Sequence, residues 1–164
     1  MCSAITLRHE LFPSDREAIG RIIRSSNLFY EYEVGVALEL VDERLAKGPA
    51  SGYHFIFAEE PGRVLGYTCY GPIACTKWSF DLFWIAVLQE LRGKGIGRML
   101  LAETEKAVRT MEGKRIYIET SSRHDYRLTQ DFYRTCGYAI ESVLKEFYGP
   151  ADDKMIFVKE LPFP

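Results

Sequence analysis

One stretch limits the possible folds of this chain more than any other. A nearly all-apolar run, Phe80 to Leu88, leads almost directly into Arg92-Gly93-Lys94-Gly95-Ile96-Gly97-Arg98. The run reads Phe-Asp-Leu-Phe-Trp-Ile-Ala-Val-Leu and is apolar on both alternating faces apart from Asp81, the pattern of a central strand covered on both sides. After the glycines, Gly97, Leu100, Leu101, Thr104, Val108 and Met111 recur at helical spacing, which predicts an amphipathic helix ending near Gly113. A buried strand, a glycine loop and a helix in immediate succession require a sheet with helices packed on it.

The remaining segments extend this pattern. Ala4 to Arg8 reads as a first strand, followed by a helix to about Ser25 with Ser14 as N-cap and Glu17 completing a capping box. Asn27 to Tyr30 is a break, and Tyr32 to Lys47 a second helix ended by Gly48-Pro49. His54 to Ala58 and Arg63 to Tyr70 are strands joined by a turn at Glu60-Pro61-Gly62. Arg115 to Thr120 is a strand, Leu128 to Thr135 a short helix stopped by Gly137, and Tyr138 to Tyr148 with Lys154 to Leu161 a final strand pair. The order β-α-α-β-β-β-α-β-α-β-β mixes hairpins with crossovers. It predicts an α/β or α+β three-layer domain with a mixed sheet. With 164 residues and neither repeat nor low-complexity linker, the chain reads as a single domain over residues 1–164.

Composition then excludes whole classes. Lys and Arg number 21 against 23 Asp and Glu, a formal charge of −2 that argues against broad, charge-driven nucleic-acid binding. Cys2, Cys69, Cys75 and Cys136 form no C-x-x-C pair, so neither a metal site nor a disulfide framework is signalled. No apolar stretch approaches the ~20 residues of a membrane span, and the N-terminus lacks the features of a signal peptide. A cytoplasmic protein without membrane attachment is the expectation.

The glycine loop carries the chemistry. Three glycines at alternate positions let a ligand approach main-chain N–H groups, and the helix beginning there adds its unpaired N–H groups and positive dipole end. Arg92, Lys94 and Arg98 add positive charge, so the loop reads as a diphosphate cradle. A dinucleotide fingerprint begun at Gly93 would need glycine at 98, where there is arginine, and a Walker loop would need Ser or Thr after Gly93-Lys94. A glycine turn of purely structural use is the competing reading.

Arg92-x-x-Gly95-x-Gly97, entered from a strand ending Ile85-Ala86-Val87, resembles the acetyl-CoA motif of the GNAT family of N-acetyltransferases. Downstream, Phe132-Tyr133-Arg134-Thr135-Cys136-Gly137-Tyr138 is similar to that family's F-Y-x-x-x-G-F/Y segment, and Ile118-Glu119-Thr120 resembles the strand before it. The order of elements matches over nearly the whole chain. The resemblance implies a central sheet of about seven strands splayed between strands 4 and 5, with acetyl-CoA as co-substrate and no metal. It implies that the main chain of Ile85, Ala86 and Val87 bonds pantetheine. Arg92, Gly93, Lys94, Gly95, Ile96, Gly97 and Arg98 would hold the pyrophosphate. Many members of the family carry an asparagine early in the fourth helix that touches the cofactor, but Ser122-Arg123-His124-Asp125-Tyr126 contains none, so no contact is carried over there.

The implied reaction is attack by a primary amine on a thioester. It needs a base for an amine of pKa about 10 and an acid for a thiolate of pKa about 8.5. Tyr133 matches the family's general-acid tyrosine; packing beside Phe132 is its structural alternative. Glu119 is the candidate base, acting through water, with Asp81 as competitor: a lone carboxylate in an apolar strand. Ordered water without a dedicated base is the third option. His9 and His54 read as strand-edge residues, His124 as a loop residue near the cleft, and Cys136 as a small apolar packing residue. Aromatic walls for the acceptor come from Phe29 and Tyr30 between the first helices and from Tyr148 in the last hairpin, where Asp152 and Asp153 would favour a cation. The expected activity is direct acetyl transfer to an amine of a small molecule or peptide. A non-catalytic acyl-CoA sensor on the same fold is the alternative, and a longer acyl group is a further one. By analogy alone, the edge strands and last hairpin could support a homodimer.

Overall fold

The computed structural model describes residues 4–162; Cys2 lies outside them. The elements follow the expected order: β1 (Thr6–Arg8), α1 (Asp15–Ser25), α2 (Glu31–Lys47), β2 (His54–Glu60), β3 (Arg63–Pro72), β4 (Ser79–Val87), α3 (Ile96–Thr110), β5 (Arg115–Ser121), α4 (Arg127–Thr135), β6 (Ala139–Gly149) and β7 (Asp152–Glu160). Hydrogen bonding runs in the order β1-β2-β3-β4-β5-β7-β6, a seven-stranded mixed sheet in which β4 and β5 are parallel. The chain forms two compact units. The first runs through Gly71 and resumes over Trp84–Lys106; the second comprises Pro72–Phe83 and the chain from Ala107 onward. Both β4 and α3 pass from one unit into the other.

In the first unit the strands are covered on both faces. Ile19, Ile22 and Ile23 of α1 and Val34, Ala37 and Val41 of α2 close over Phe55, Phe57, Tyr67 and Cys69. On the opposite face Thr68 meets Thr104 of α3 through a buried hydroxyl pair 2.9 Å apart. Strand periodicity explains the division, since odd and even residues of β3 face different layers. The β2–β3 turn is tight, Glu60 pairing with Arg63 around a left-handed Gly62 at φ 79°.

The start of α1 departs from the expected capping box. Ser14 is helical and makes no cap bond. Asp15 organises the turn instead: its carboxylate accepts the Phe12 N–H at 2.7 Å and two Arg8 guanidinium N–H groups at 2.9 Å. A carboxylate beside a guanidinium is the stronger acceptor, and β1 supplies that guanidinium.

In the second unit α4 covers only one face of the sheet. Phe157 of β7 and Ile118 of β5 are paired and buried, with Tyr133 of α4 on the Phe157 ring. Glu119, next in the strand, points to the other face, where its side chain is 50% exposed. The expectation that β4 is covered on both sides therefore holds only in part. Ala86, Val87 and Leu88 are buried, but Asp81 is half-buried and Phe83 is 38% exposed. Alternation within β4 also slips by one residue. Phe80 packs towards Val108 of α3 beside Gly113, where any Cβ would stand 2.3 Å from Val108. Even-numbered Ala86 and Leu88 belong instead to the α1/α2 core.

Candidate active site

The first unit contributes a helix start built from main chain. Gly93 and Gly95 adopt left-handed φ values of 77° and 85°, a region that side chains disfavour. No heavy atom lies within 4 Å of where a Cβ on either would stand, so the loop surface is open. The Gly95 carbonyl accepts the Met99 N–H at 3.0 Å. That bond makes Gly95 the cap of α3 and leaves the N–H groups of Ile96, Gly97 and Arg98 without intrahelical acceptors. Ile96 is buried and anchors the turn, while Arg92, Lys94 and Arg98 are exposed. Among the described residues none of these three cations has a carboxylate within ion-pair distance. Free N–H donors, the positive end of the helix dipole and three cations, of which Lys94 also feels the charge of Glu90, together favour a multiply charged anion.

The β4–β5 ladder comprises Ser79–Arg115, Phe80–Ile116 and Asp81–Tyr117 and stops there. Ile85, Ala86 and Val87 lie further along β4, past its last paired residue. Upstream, Phe29 lies edge-on to Trp84 at 5.2 Å. Tyr30 is 57% exposed and stacks on Tyr32 at 5.6 Å.

The second unit contributes side chains. Tyr133 is buried among Phe132, Tyr138 and Phe157, with ring centroids 5.6, 6.2 and 5.6 Å away. Burial pushes its phenol well above the usual range and keeps it a neutral donor. No described residue accepts a hydrogen bond from its hydroxyl. The helix that carries it is held at both ends. Gln130 Nε2 donates to the Ser121 carbonyl at 2.9 Å, and Lys159 Nζ donates to the Cys136 carbonyl at 2.8 Å.

Glu119 lies on the face opposite Tyr133, together with Tyr117, Asp81 and Lys154, as the ladder registers require. Its Oε2 is 2.7 Å from Lys154 Nζ. Asp81 is pushed up to about 6, first by burial and then by the negative charge of Glu119, with Lys154 acting in the other direction. The candidate acid and the carboxylates are thus separated by the thickness of the sheet.

Tyr148 is 48% exposed, stands edge-on to Phe147 at 5.1 Å, and lies 5.8 Å from Lys154 Nζ. Asp152 and Asp153 are engaged within the hairpin. Asp152 accepts a hydrogen bond from the Ser121 hydroxyl and lies 3.6 Å from Arg123; Asp153 pairs with Lys145 at 2.9 Å. His9 pairs with Glu103 at 3.0 Å, and His54 stacks on Tyr70, its burial lowering its pKa. His124 falls in a short turn before α4, and Cys136 is partly buried just after that helix. Among the described residues no group of three His, Cys, Asp or Glu is placed to hold a metal, and no helix is long and apolar enough to cross a membrane.

Sequence reasoning missed Lys154. A lone lysine in a terminal strand carries no signal until strand register sets it beside Glu119. Trp84 and Phe29 pack together against the α1/α2 core.

Residues 19–138 match the model of the Acetyltransferase (GNAT) family. Among solved structures, the chain is similar to a GNAT-family acetyltransferase from Desulfovibrio desulfuricans, with 42% identity and a TM-score of 0.95 over 97% of this chain and 100% of that one. An aminoglycoside 6'-N-acetyltransferase complexed with coenzyme A shares the fold at 21% identity, with a TM-score of 0.77 over 98% and 99% of the two chains. So does yncA of Salmonella typhimurium, solved with acetyl-CoA, at 19% identity and a TM-score of 0.74 over 97% and 95%. A comparison with curated proteins found no match.

Proposed function

We propose, on the premise that the chain belongs to the GNAT acetyltransferase family, that it transfers the acetyl group of acetyl-CoA directly to a primary amine of a small molecule or peptide. The observation that carries this reading is the start of α3, where open left-handed glycines and three exposed cations flank free N–H donors. These residues fit a pyrophosphate: donors are free at the helix start, the glycine surface is open, and the charge has the required sign. Ile85, Ala86 and Val87 would bond the pantetheine arm through main-chain groups, past the end of the β4–β5 ladder. Two of the relatives sharing the fold are described with coenzyme A or acetyl-CoA bound, which supports the same ligand class here.

Acetyl-CoA supplies an activated acetyl group, and the remaining work falls to this chain. Tyr133, kept neutral by burial, donates its proton to the departing sulfur. Glu119 accepts the proton of the amine, through water because the side chain is partly exposed. A second reading is favoured by one observation: Asp81, at about 6, is ionised at neutral pH yet more basic than an ordinary aspartate. It is the competing base on the same face. Phe29, Tyr30 and Tyr148 supply the apolar walls of the acceptor site.

The deciding experiment measures thiol release from acetyl-CoA with a panel of primary amines, and CoA binding in parallel. Amine-dependent release supports the transferase. Binding without release by any amine would leave the acyl-CoA sensor as the better description.

A further inference from the structure

Lys154 sets an ammonium on the open face of the second unit that is both nearly enclosed and bonded to a candidate base. Its side chain is 11% exposed, whereas that of its partner Glu119 is 50% exposed. Its Nζ also lies 3.8 Å over the Phe147 ring, within cation–π range, with the Tyr148 ring next to it. An ammonium enclosed this far must be held by its surroundings, and here one carboxylate and an aromatic face hold it.

The neighbouring charges make the arrangement meaningful. From β5, Glu119 faces Asp81, with Tyr117 opposite Asp81 in register. From β7 comes Lys154, and β6 sets Leu144 opposite it in register and the rings of Phe147 and Tyr148 beside its ammonium. Other charges of this hairpin have partners of their own: Asp152 lies beside Arg123 of the loop before α4, Asp153 pairs with Lys145, Glu160 lies near Arg115, Lys159 donates to the Cys136 carbonyl, and Glu146 accepts the Ala151 N–H. With both carboxylates ionised, the set Asp81, Glu119 and Lys154 carries one net negative charge. Without Lys154 it would carry two on a half-buried surface.

We propose that Lys154 is a positioning residue of the reaction, an internal counter-ion that lets two carboxylates share one sheet face and ties the Phe147–Tyr148 wall to them. It donates no proton and touches no reacting atom. It holds the Glu119 carboxylate at 2.7 Å and keeps the aromatic ring against the strand. Its charge lowers Asp81, opposing the larger upward effects of burial and Glu119. The catalytic part of this inference rests on the transferase reading.

The test compares Lys154→Met, which keeps the length and removes the charge, with Lys154→Arg, which restores it. Carboxyl carbon chemical shifts followed by NMR report the Asp81 titration directly and need neither acetyl-CoA nor an acceptor. The Met variant is expected to raise the Asp81 midpoint by roughly half a unit or more, and the Arg variant to return it towards the wild-type value. The acidic limb of amine turnover should move to higher pH by the same amount, with rates at pH 6 falling several-fold in the Met variant alone. A midpoint unchanged in folded Lys154→Met overturns the inference and leaves the transferase reading intact. A midpoint that moves while turnover at pH 6 stays at the wild-type level overturns the positioning role. If CoA binds but no amine is acetylated even by the wild type, the transferase reading falls, and the catalytic role of Lys154 with it.

Discussion

The two units solve the same packing problem differently. The first covers both faces of its strands, α1 and α2 on one side and α3 on the other, and the groups proposed to bind its ligand are main-chain groups at a helix end. The second covers one face with α4 and leaves the other open, where Asp81, Glu119 and Lys154 meet among exposed aromatic rings. A closed layer can recognise an anion with backbone N–H groups because helix geometry presents them whatever the side chains are. An open face is where charged side chains can be gathered without the full penalty of burial, and where their pKa values still respond to one another.

If this division of labour is right, the largest effect should come from the second unit's proton donor. Tyr133→Phe keeps the ring contacts with Phe132, Tyr138 and Phe157 and deletes only the hydroxyl. Turnover should fall by about 10- to 10⁴-fold, with CoA affinity and thermal stability nearly unchanged. Wild-type turnover, once chemistry is shown to limit the rate, would return Tyr133 to a packing role.

The next effect probes the first unit. Gly95→Asp forces a side chain into the left-handed conformation and sets a negative charge among the free N–H groups. CoA affinity, measured calorimetrically, should drop by about 100-fold, roughly what losing two charge-assisted contacts implies. An undiminished affinity in a folded variant would remove the loop from the site and collapse the comparison.

Smaller effects separate the two carboxylates. Glu119→Gln should lower turnover several-fold at neutral pH and recover part of it at high pH, where more of the amine is already neutral. A rate profile that keeps its acidic limb in Glu119→Gln and loses it in Asp81→Asn would assign the base to β4 instead of β5.

Asp81 offers the smallest and cleanest test, one of stability. Its folded-state value of about 6 lies above the ordinary 3.8, so the folded state binds more protons between those values. Stability should therefore decline as pH rises from about 4 to about 6 and stay lower above that. Solvent screens much of the effect at a half-buried carboxyl, leaving roughly 1 kcal/mol. Denaturant titrations at pH 4 and 7 should show that slope in the wild type and its loss in Asp81→Asn, with the variant the more stable protein at pH 7. Equal slopes in the two proteins would mean that the open face does not perturb Asp81.

What the sequence determined by itself follows the same boundary. The β4–loop–α3 succession was legible because apolar alternation, glycine positions and helical spacing are local properties, each decided within a few residues. Order and type of the α-helices and strands were legible for that reason, as was the glycine turn that opens α3. Asp15 replacing Ser14 at the start of α1 was not, because Arg8, which holds it, arrives from another element. The slip of alternation inside β4 was equally hidden, since both faces of that strand are apolar and either phase reads alike. The meeting of Asp81, Glu119 and Lys154 depended on the parallel register of β4 with β5 and the antiparallel register of β5 with β7. Only the tertiary structure decides that, because a one-residue shift of either ladder would send one of these charges to the opposite face.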